Sequence, residues 1–94
     1  MDNWPASKTV LRPVKELKDA AQNSRVHSDE QIAQIAASIQ EFGWTIPVLV
    51  DEKGTLIAGH ARVQAAHTLG LTEVPVMVAE GWSDAKKEAY QIAD

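Results

Sequence analysis

The stretch LIAGHARVQAA, residues 56–66, decides the fold, because a short apolar strand runs through a glycine directly into a helix. Gly59 has no Cβ and permits the sharp change of direction that such a junction needs. The first-turn N–H groups of the following helix lack intrahelical partners and can receive an anion. Arg62 lies about one turn into that helix, and its planar guanidinium suits bidentate contact with a phosphate. The junction therefore predicts a phosphate-binding site.

The charge around this junction supports the same interpretation. Residues 53–72 contain no carboxylate, although 13 of the 94 residues of the chain are acidic. A local positive field favours an anion there. An alternative remains open, in which Gly59 only forms a tight turn and Arg62 makes an ordinary ion pair.

Outward from the junction, the sequence predicts alternating strands and helices. Ser28 and Gln31 form a capping-box pattern ahead of apolar residues at helical spacing, and Gly43 is typical of a helix end. The predicted elements are a strand at 10–14, a helical turn at 15–21, a loop at 22–27, a helix from 28 to 43, an antiparallel hairpin of strands 48–50 and 55–58, a helix at 60–69, a strand at 74–79 and a helix from 83 onward. We expect a mixed α/β (α+β) domain whose mixed sheet is flanked by helices, with a β-α-β unit across the glycine junction.

Composition limits the function classes further. The chain has 94 residues, 45% apolar and 23% charged, which fits one small domain. It has no cysteine, which excludes disulfides, thiolate metal sites and thiol catalysis. No apolar run approaches the roughly 20 residues that span a bilayer, and the N-terminus lacks an apolar signal region, so we expect a cytoplasmic protein with no membrane partner. A net charge of −4 argues against this domain alone gripping a DNA duplex through many phosphates.

Several segments together resemble one known family. They are NSR at 23–25, SIQEFGWTIPVLV at 38–50, the junction itself, HTLGL at 67–71 and VPVMV at 74–78. In this order and spacing they resemble the ParB/sulfiredoxin-like domain family, often labelled the ParB-like nuclease domain. The resemblance covers residues 10–94 and leaves residues 1–9 as an N-terminal extension. It implies a ParB/sulfiredoxin fold and binding of a nucleoside triphosphate, CTP or ATP, with Mg²⁺.

The resemblance also implies roles for particular residues. It assigns the phosphates to Gly59, His60 and Arg62, and the base and ribose side to Gly43, Thr45 and Pro47, with Asn23 and Arg25 in a loop that closes over the ligand. The residues alone leave structural alternatives open. Gly43 and Pro47 also suit a helix end and a strand start, and Asn23 and Arg25 also suit a surface turn.

The chain departs from the family pattern at the junction. ParB has glycine-glutamate-arginine-arginine where this chain has Gly59, His60, Ala61 and Arg62, which puts CTP hydrolysis in doubt, and His60 stands where a sulfiredoxin has its cysteine. The helix-turn-helix of ParB and its motif after the last helix do not occur within the 94 residues. We therefore expect a C-terminally truncated domain of a longer protein that reaches DNA through other domains. The histidine variant resembles the domain ahead of phage-type DNA methyltransferases.

Three functional hypotheses follow. The leading one is a nucleotide-binding regulatory module of a DNA-modification or partition-type protein. The second is a nuclease or nucleotide hydrolase with His60 as acid or base, although no carboxylate cluster is visible in the sequence and no metal site is expected. His60 and His67 are seven residues apart, roughly 10 Å along a helix, too far to share one metal ion. The third is a ligand-free protein-interaction domain, for which a homodimer is one form.

Overall fold

A four-stranded mixed sheet with helices on both faces forms the domain. The computed structural model describes residues 4–19 and 27–93, with side chains to residue 91. Its elements are β1 (Thr9–Pro13), α1 (Asp29–Phe42), β2 (Val48–Val50), β3 (Leu56–Ala58), α2 (His60–Leu69), β4 (Glu73–Val78) and α3 (Asp84–Ala93), with 3-10 turns at Pro5–Ser7 and Val14–Glu16. The strands lie in the order β1-β4-β2-β3. This confirms the predicted mixed α+β class and most of the predicted elements.

The strand pairing differs from expectation in one respect. β2 pairs with β3 antiparallel and with β4 parallel, and β4 pairs with β1 antiparallel. The predicted β-α-β unit joining β3 to β4 is therefore wrong, because β3 runs antiparallel to β4 and is separated from it by β2. The tight hairpin reverses the chain between β2 and β3, so the strand that is parallel to β4 is β2. The crossover from β2 to β4 includes both β3 and α2.

The predicted helical turn at 15–21 is also corrected over residues 15–19, whereas residues 20 and 21 and residues 22–26 of the predicted loop lie outside the described part of the chain. Only Val14–Glu16 is a 3-10 turn, and the chain after it is extended as far as it is described. Lys18 donates its N–H to the carbonyl of Gly54 (2.9 Å) and accepts from the N–H of Leu56 (2.7 Å). These two bonds hold the segment against the outer edge of β3, which leaves no freedom for a helix there.

Two hydrophobic layers cover the faces of the sheet. The larger layer lies between the sheet and α2, against which α1 packs, and consists of buried Val14, Val48, Val50, Leu56, Val63, Ala66, Val74 and Val76. The smaller one, on the α3 side, consists of Leu49, Ile57 and Ala79, with Met77 and Trp82 packed against it. Because successive strand residues point to opposite faces, β2 and β3 each contribute to both layers, with Leu49 and Ile57 on the α3 side and Val48, Val50 and Leu56 on the other.

The helix ends follow the predicted capping chemistry. The Ser28 hydroxyl accepts from the Gln31 N–H (3.1 Å), and the Gln31 side chain accepts from the Ser28 N–H (3.3 Å), which confirms the capping box. Gly43 ends α1 with φ +81° and donates its N–H to the Ile39 carbonyl. Among the described residues, no helix is long and apolar enough to cross a membrane.

A close backbone approach fixes the junction between β3 and α2. Gly59 has φ +100°, a left-handed conformation that strains any residue with a Cβ. A Cβ placed there would lie 2.5 Å from Cγ1 and 2.8 Å from Cβ of Val48 in β2. Val48 is 1% exposed and cannot move away without disturbing the core. Both the dihedral angle and the packing therefore require glycine at this position.

We expect Gly59→Ala to lower the free energy of unfolding by about 3 kcal/mol, the sum of left-handed strain and overpacking. Chemical denaturation of the two proteins measures the difference. Gly70→Ala is the matched control, because Gly70 also has a positive φ of +71° but has no atom within 4 Å of an added Cβ. It should cost only about 1 kcal/mol. Equal losses in the two variants would contradict the close approach to Val48.

A partly buried ion pair ties α3 to the hairpin between β2 and β3. Asp51, 6% exposed, accepts from the N–H groups of Lys53 and Thr55 (2.9 Å each) and from Nζ of Lys87 in α3 (3.0 Å). Burial raises the pKa of Asp51, but the bonds from Thr55, Lys87 and Lys53 together outweigh it and leave the pKa below its ordinary value of 3.8. The charged carboxylate therefore stabilises the fold.

We expect Asp51→Asn to lower the free energy of unfolding by about 1–2 kcal/mol at pH 7, since it removes a charge-assisted bond. A folded-state pKa below 3.8 means that this contribution is complete above about pH 4 and is lost as the pH falls through the folded-state pKa. The deficit of the variant should therefore shrink in denaturation curves recorded at decreasing pH. Asp84→Asn is the control, because Asp84 is fully exposed and lies 3.9 Å from the same Lys87. A deficit in Asp51→Asn that stays constant with pH would refute the assignment.

Candidate anion-binding site

The start of α2 and the loop leading into β2 lie at one end of the sheet. β2 begins at Val48 and β3 ends at Ala58, and the two strands are antiparallel with Leu49 opposite Ala58. The loop at 43–47 therefore enters the sheet at the end from which α2 leaves it. In this way the fold brings three of the predicted residues, Gly43, Thr45 and Pro47, to the same end as the junction at 59–62.

The first turn of α2 presents backbone donors without acceptors. Gly59 precedes the helix and offers no side-chain cap. The Val63 N–H bonds to the Gly59 carbonyl (3.1 Å), as the first bond of the helix. The N–H groups of Ala61 and Arg62 have no acceptor among the described residues. Such groups at a helix N-terminus form an anion-binding site when they are left open.

Arg62 adds a cation to this turn. Its side chain is half-buried, and no carboxylate of the described residues lies within 4.0 Å of its guanidinium nitrogens. Arg62 therefore does not form, within that part of the chain, the ordinary ion pair that the sequence left open as an alternative. A half-buried guanidinium without an ion pair retains five N–H donors that can bind a phosphate oxygen.

The charge at the start of α2 is opposite to that of the other two helices. α1 begins with Asp29 and Glu30, and α3 begins with Asp84, whereas α2 has no acidic residue in its first turn. Acidic residues stabilise the positive end of the helix dipole, and cations there are unfavourable by typically 0.3–1 kcal/mol. A bound anion would remove this cost. The first turn of α2 is therefore the one helix start among the three whose own side chains leave the dipole uncompensated.

His60 lies under the helix start rather than projecting from it. The residue is 8% exposed, and its Nε2 atom is shielded from solvent. His67, on the same helix, is exposed. Within the described part of the chain, no three His, Asp or Glu side chains lie close enough together to hold a metal ion.

The loop at 43–47 leaves one polar side chain available. The Trp44 indole N–H donates to the Ile46 carbonyl (2.8 Å), and the ring packs against the larger core layer, which fixes the loop. Thr45 between them is exposed, and its hydroxyl forms no hydrogen bond within the described residues. The sequence analysis did not predict this bond between the Trp44 indole and the Ile46 carbonyl. The tryptophan itself is the available signal, because an indole N–H whose ring packs on a core usually finds an acceptor.

Two predicted site residues cannot be placed. Asn23 and Arg25 lie outside the described residues. Their expected position in a loop over the ligand stays a prediction.

Comparison with known proteins identifies relatives over almost the whole chain. The family model of the ParB N-terminal domain matches residues 5–94. The ParB-like nuclease domain-containing protein YnaK of Escherichia coli K12 is 54% identical over 81 residues, which cover 86% of this chain and 93% of YnaK. The probable chromosome-partitioning protein ParB of Neisseria meningitidis serogroup A is 35% identical over 82 residues, which cover 82% of this chain but 29% of that protein.

Solved structures agree with the fold. The C-terminally truncated ParB of Caulobacter crescentus, complexed with CTP-gamma-S, superimposes with a TM-score of 0.81 at 27% identity, over 90% of this chain and 51% of that one. Sulfiredoxin from Arabidopsis thaliana superimposes with a TM-score of 0.73 at 17% identity, over 90% of this chain and 97% of that one, and shows the fold alone. Thus the chain spans about half of the truncated ParB and most of a sulfiredoxin. With the family model matched over residues 5–94, the chain belongs to the ParB N-terminal domain family.

Proposed function

We propose that this domain binds a nucleoside triphosphate at the start of α2 and serves as the nucleotide-binding regulatory module of a DNA-associated protein of the partition or DNA-modification type. The observation that carries the proposal is the first turn of α2. There the Ala61 and Arg62 N–H groups have no acceptor, and the Arg62 guanidinium has no ion-pair partner, among the described residues. The complex of the Caulobacter crescentus relative with CTP-gamma-S supports a nucleotide as the anion.

Each residue has a distinct part in the proposed site. Gly59 lets the backbone turn so that the N–H groups face the phosphates, and Arg62 neutralises their charge. Thr45 and Pro47, with Gly43 behind them, line the base and ribose side, where the Thr45 hydroxyl can bond to the ligand. His60, packed beneath the turn, supports the phosphate-binding backbone. Asn23 and Arg25 complete the site from the preceding loop.

The nucleotide proposed is CTP or ATP accompanied by Mg²⁺. The metal ion would arrive with the triphosphate and reduce its charge, and we assign no residue of this chain to it, since the described residues contain no cluster of metal ligands. Binding rather than hydrolysis is proposed, because the Nε2 atom of His60 is shielded from solvent.

DNA association is proposed for other domains of a parent protein, whose existence is itself part of the proposal, rather than for the start of α2. The ParB of Caulobacter crescentus was also solved complexed to the centromeric parS site, and there it matches this chain at 23% identity, which shows the fold only. Contact with DNA through other domains, homodimer formation and membership of a DNA methyltransferase all stay predictions from the sequence.

We expect Arg62→Ala to weaken binding of CTP or ATP with Mg²⁺ by at least about tenfold, since a charge-assisted hydrogen bond is lost. A nitrogen–proton NMR titration of the labelled domain measures it, with saturable shifts in the wild type at Thr45, Gly59, Ala61 and Arg62. The free variant should be as stable as the wild type or slightly more stable, because a cation leaves the positive end of a helix dipole.

Arg12→Ala is the matched control, because Arg12 lies in β1, outside the proposed site. It should retain the affinity of the wild type. Equal nucleotide affinity in Arg62→Ala, or a marked loss of stability of the free variant, would show that Arg62 is structural. A wild-type spectrum that responds to neither nucleotide would favour the protein-interaction hypothesis.

A further inference from the structure

A groove lies at the other end of the sheet from the start of α2. It consists of two adjoining clefts, of about 300 and 680 Å³, that share Arg12, Glu52 and Val78. Residues 4 and 5 line one end of the groove. The hairpin turn at 52–54 and the segment at 15–18 line the opposite end, and the side chains of Val10 and Val50 also line the groove.

The groove concentrates the positive charge of an acidic chain. It is lined by five of the nine Lys and Arg residues of the protein: Lys8, Arg12, Lys15, Lys18 and Lys53. None of the five forms a salt bridge within the described residues, where Lys87 is the one cation that does. Lys8 and Arg12 flank Val10 at alternate positions, so both point to the same face, about 13 Å apart along the strand.

Two carboxylates that line the groove form hydrogen bonds with groups outside the row of cations. Asp51 is bonded to Lys87 and to two backbone N–H groups, and Glu52 accepts from the N–H of Gly81 (2.7 Å). The Gly81 N–H is neutral, so Glu52 keeps its negative charge, and only Asp51 is balanced by a cation outside the groove. Glu16, Glu52 and Glu80 therefore face five cations that form no salt bridge within the described residues, which leaves an excess of positive charge. The groove is thus positive in a protein whose net charge is −4.

An exposed indole lies at one end of this row of cations. Trp4 is 65% exposed and lines the larger cleft together with Lys8 and Arg12. Its backbone is held, because the Trp4 carbonyl accepts from the Ser7 N–H (2.9 Å) and the Pro5–Ser7 turn packs on β4. A fixed backbone with a solvent-facing ring suits stacking rather than core packing.

We infer that this groove binds single-stranded nucleic acid, with the phosphodiester backbone along the five cations and a base stacked on Trp4. Grooves of positive charge combined with exposed aromatic rings are the usual means of holding single strands without sequence preference. Trp4 favours a single strand over a duplex, because the bases of a duplex are already stacked on one another and cannot stack on an indole ring. Trp4 favours nucleic acid over an acidic peptide, since a peptide of Asp and Glu gains nothing from stacking.

The test is fluorescence anisotropy with labelled oligothymidylate and oligouridylate of about ten nucleotides. We expect saturable binding to both that weakens with salt, with a slope of log affinity against log salt of about −2 to −3.5, from three to five phosphates. Arg12→Ala should make the slope shallower by about 0.7. Trp4→Ala should weaken binding at least about fivefold, and Trp4→Phe should restore part of it.

Two variants separate this groove from other sources of binding. Lys86→Ala removes the same charge from a lysine that stacks on Trp82 (4.7 Å), outside the groove, and should leave binding within about twofold of the wild type. Arg62→Ala should bind the oligonucleotide as the wild type does, whereas Arg12→Ala should keep its affinity for CTP or ATP. Failure of the nucleotide proposal would therefore leave the groove proposal intact, and failure of the groove proposal would leave the nucleotide proposal intact.

Four results would overturn the inference. They are no saturable binding at low salt, equal losses in Lys86→Ala and Arg12→Ala, tighter binding of a duplex of the same length, and full competition by polyglutamate. The last result would make the groove an acidic-peptide site instead.

Discussion

The contact between the Gly59 backbone and the Val48 side chain governs both the packing and the candidate site. A strand that ends against its hairpin partner without a Cβ can turn immediately into a helix, and α2 then starts at the rim of the sheet. The hydrophobic layer beneath α2 includes Val48 itself, together with Val63 and Ala66 from the helix. The residue that limits the junction to glycine is therefore also part of the core that holds α2 in place.

The start of α2 differs electrostatically from the starts of α1 and α3. α1 and α3 carry carboxylates at their N-termini, so their dipoles are compensated within the chain, whereas α2 combines open N–H groups with Arg62. The same fold occurs in a sulfiredoxin and in partition proteins, so the fold does not specify the chemistry. In this chain, which has no cysteine, the side chains at the start of α2 favour binding of an anion over thiol chemistry.

The hairpin turn ties α3 to the end of the sheet that lies opposite the start of α2. Asp51 binds Lys87, and Glu52 binds the N–H of Gly81 in the segment leading into α3. These bonds hold the last helix against the smaller hydrophobic layer. The Asp51–Lys87 pair also balances one of the carboxylates that line the groove with a cation from outside it, and the neighbouring Lys15, Lys18 and Lys53 form no salt bridge within the described residues.

The sequence by itself determined the local features. The capping box at Ser28, the end of α1 at Gly43, the hairpin and the glycine junction each depend on residues close along the chain, and the structure confirms them. The tertiary structure decided what depends on distant residues. Strand order, the pairing of Lys18 with Thr55, the burial of His60 and the gathering of Lys8, Arg12 and Lys53 around one groove have no local signature. Periodicity records which face of an element is apolar, but not which other element covers that face.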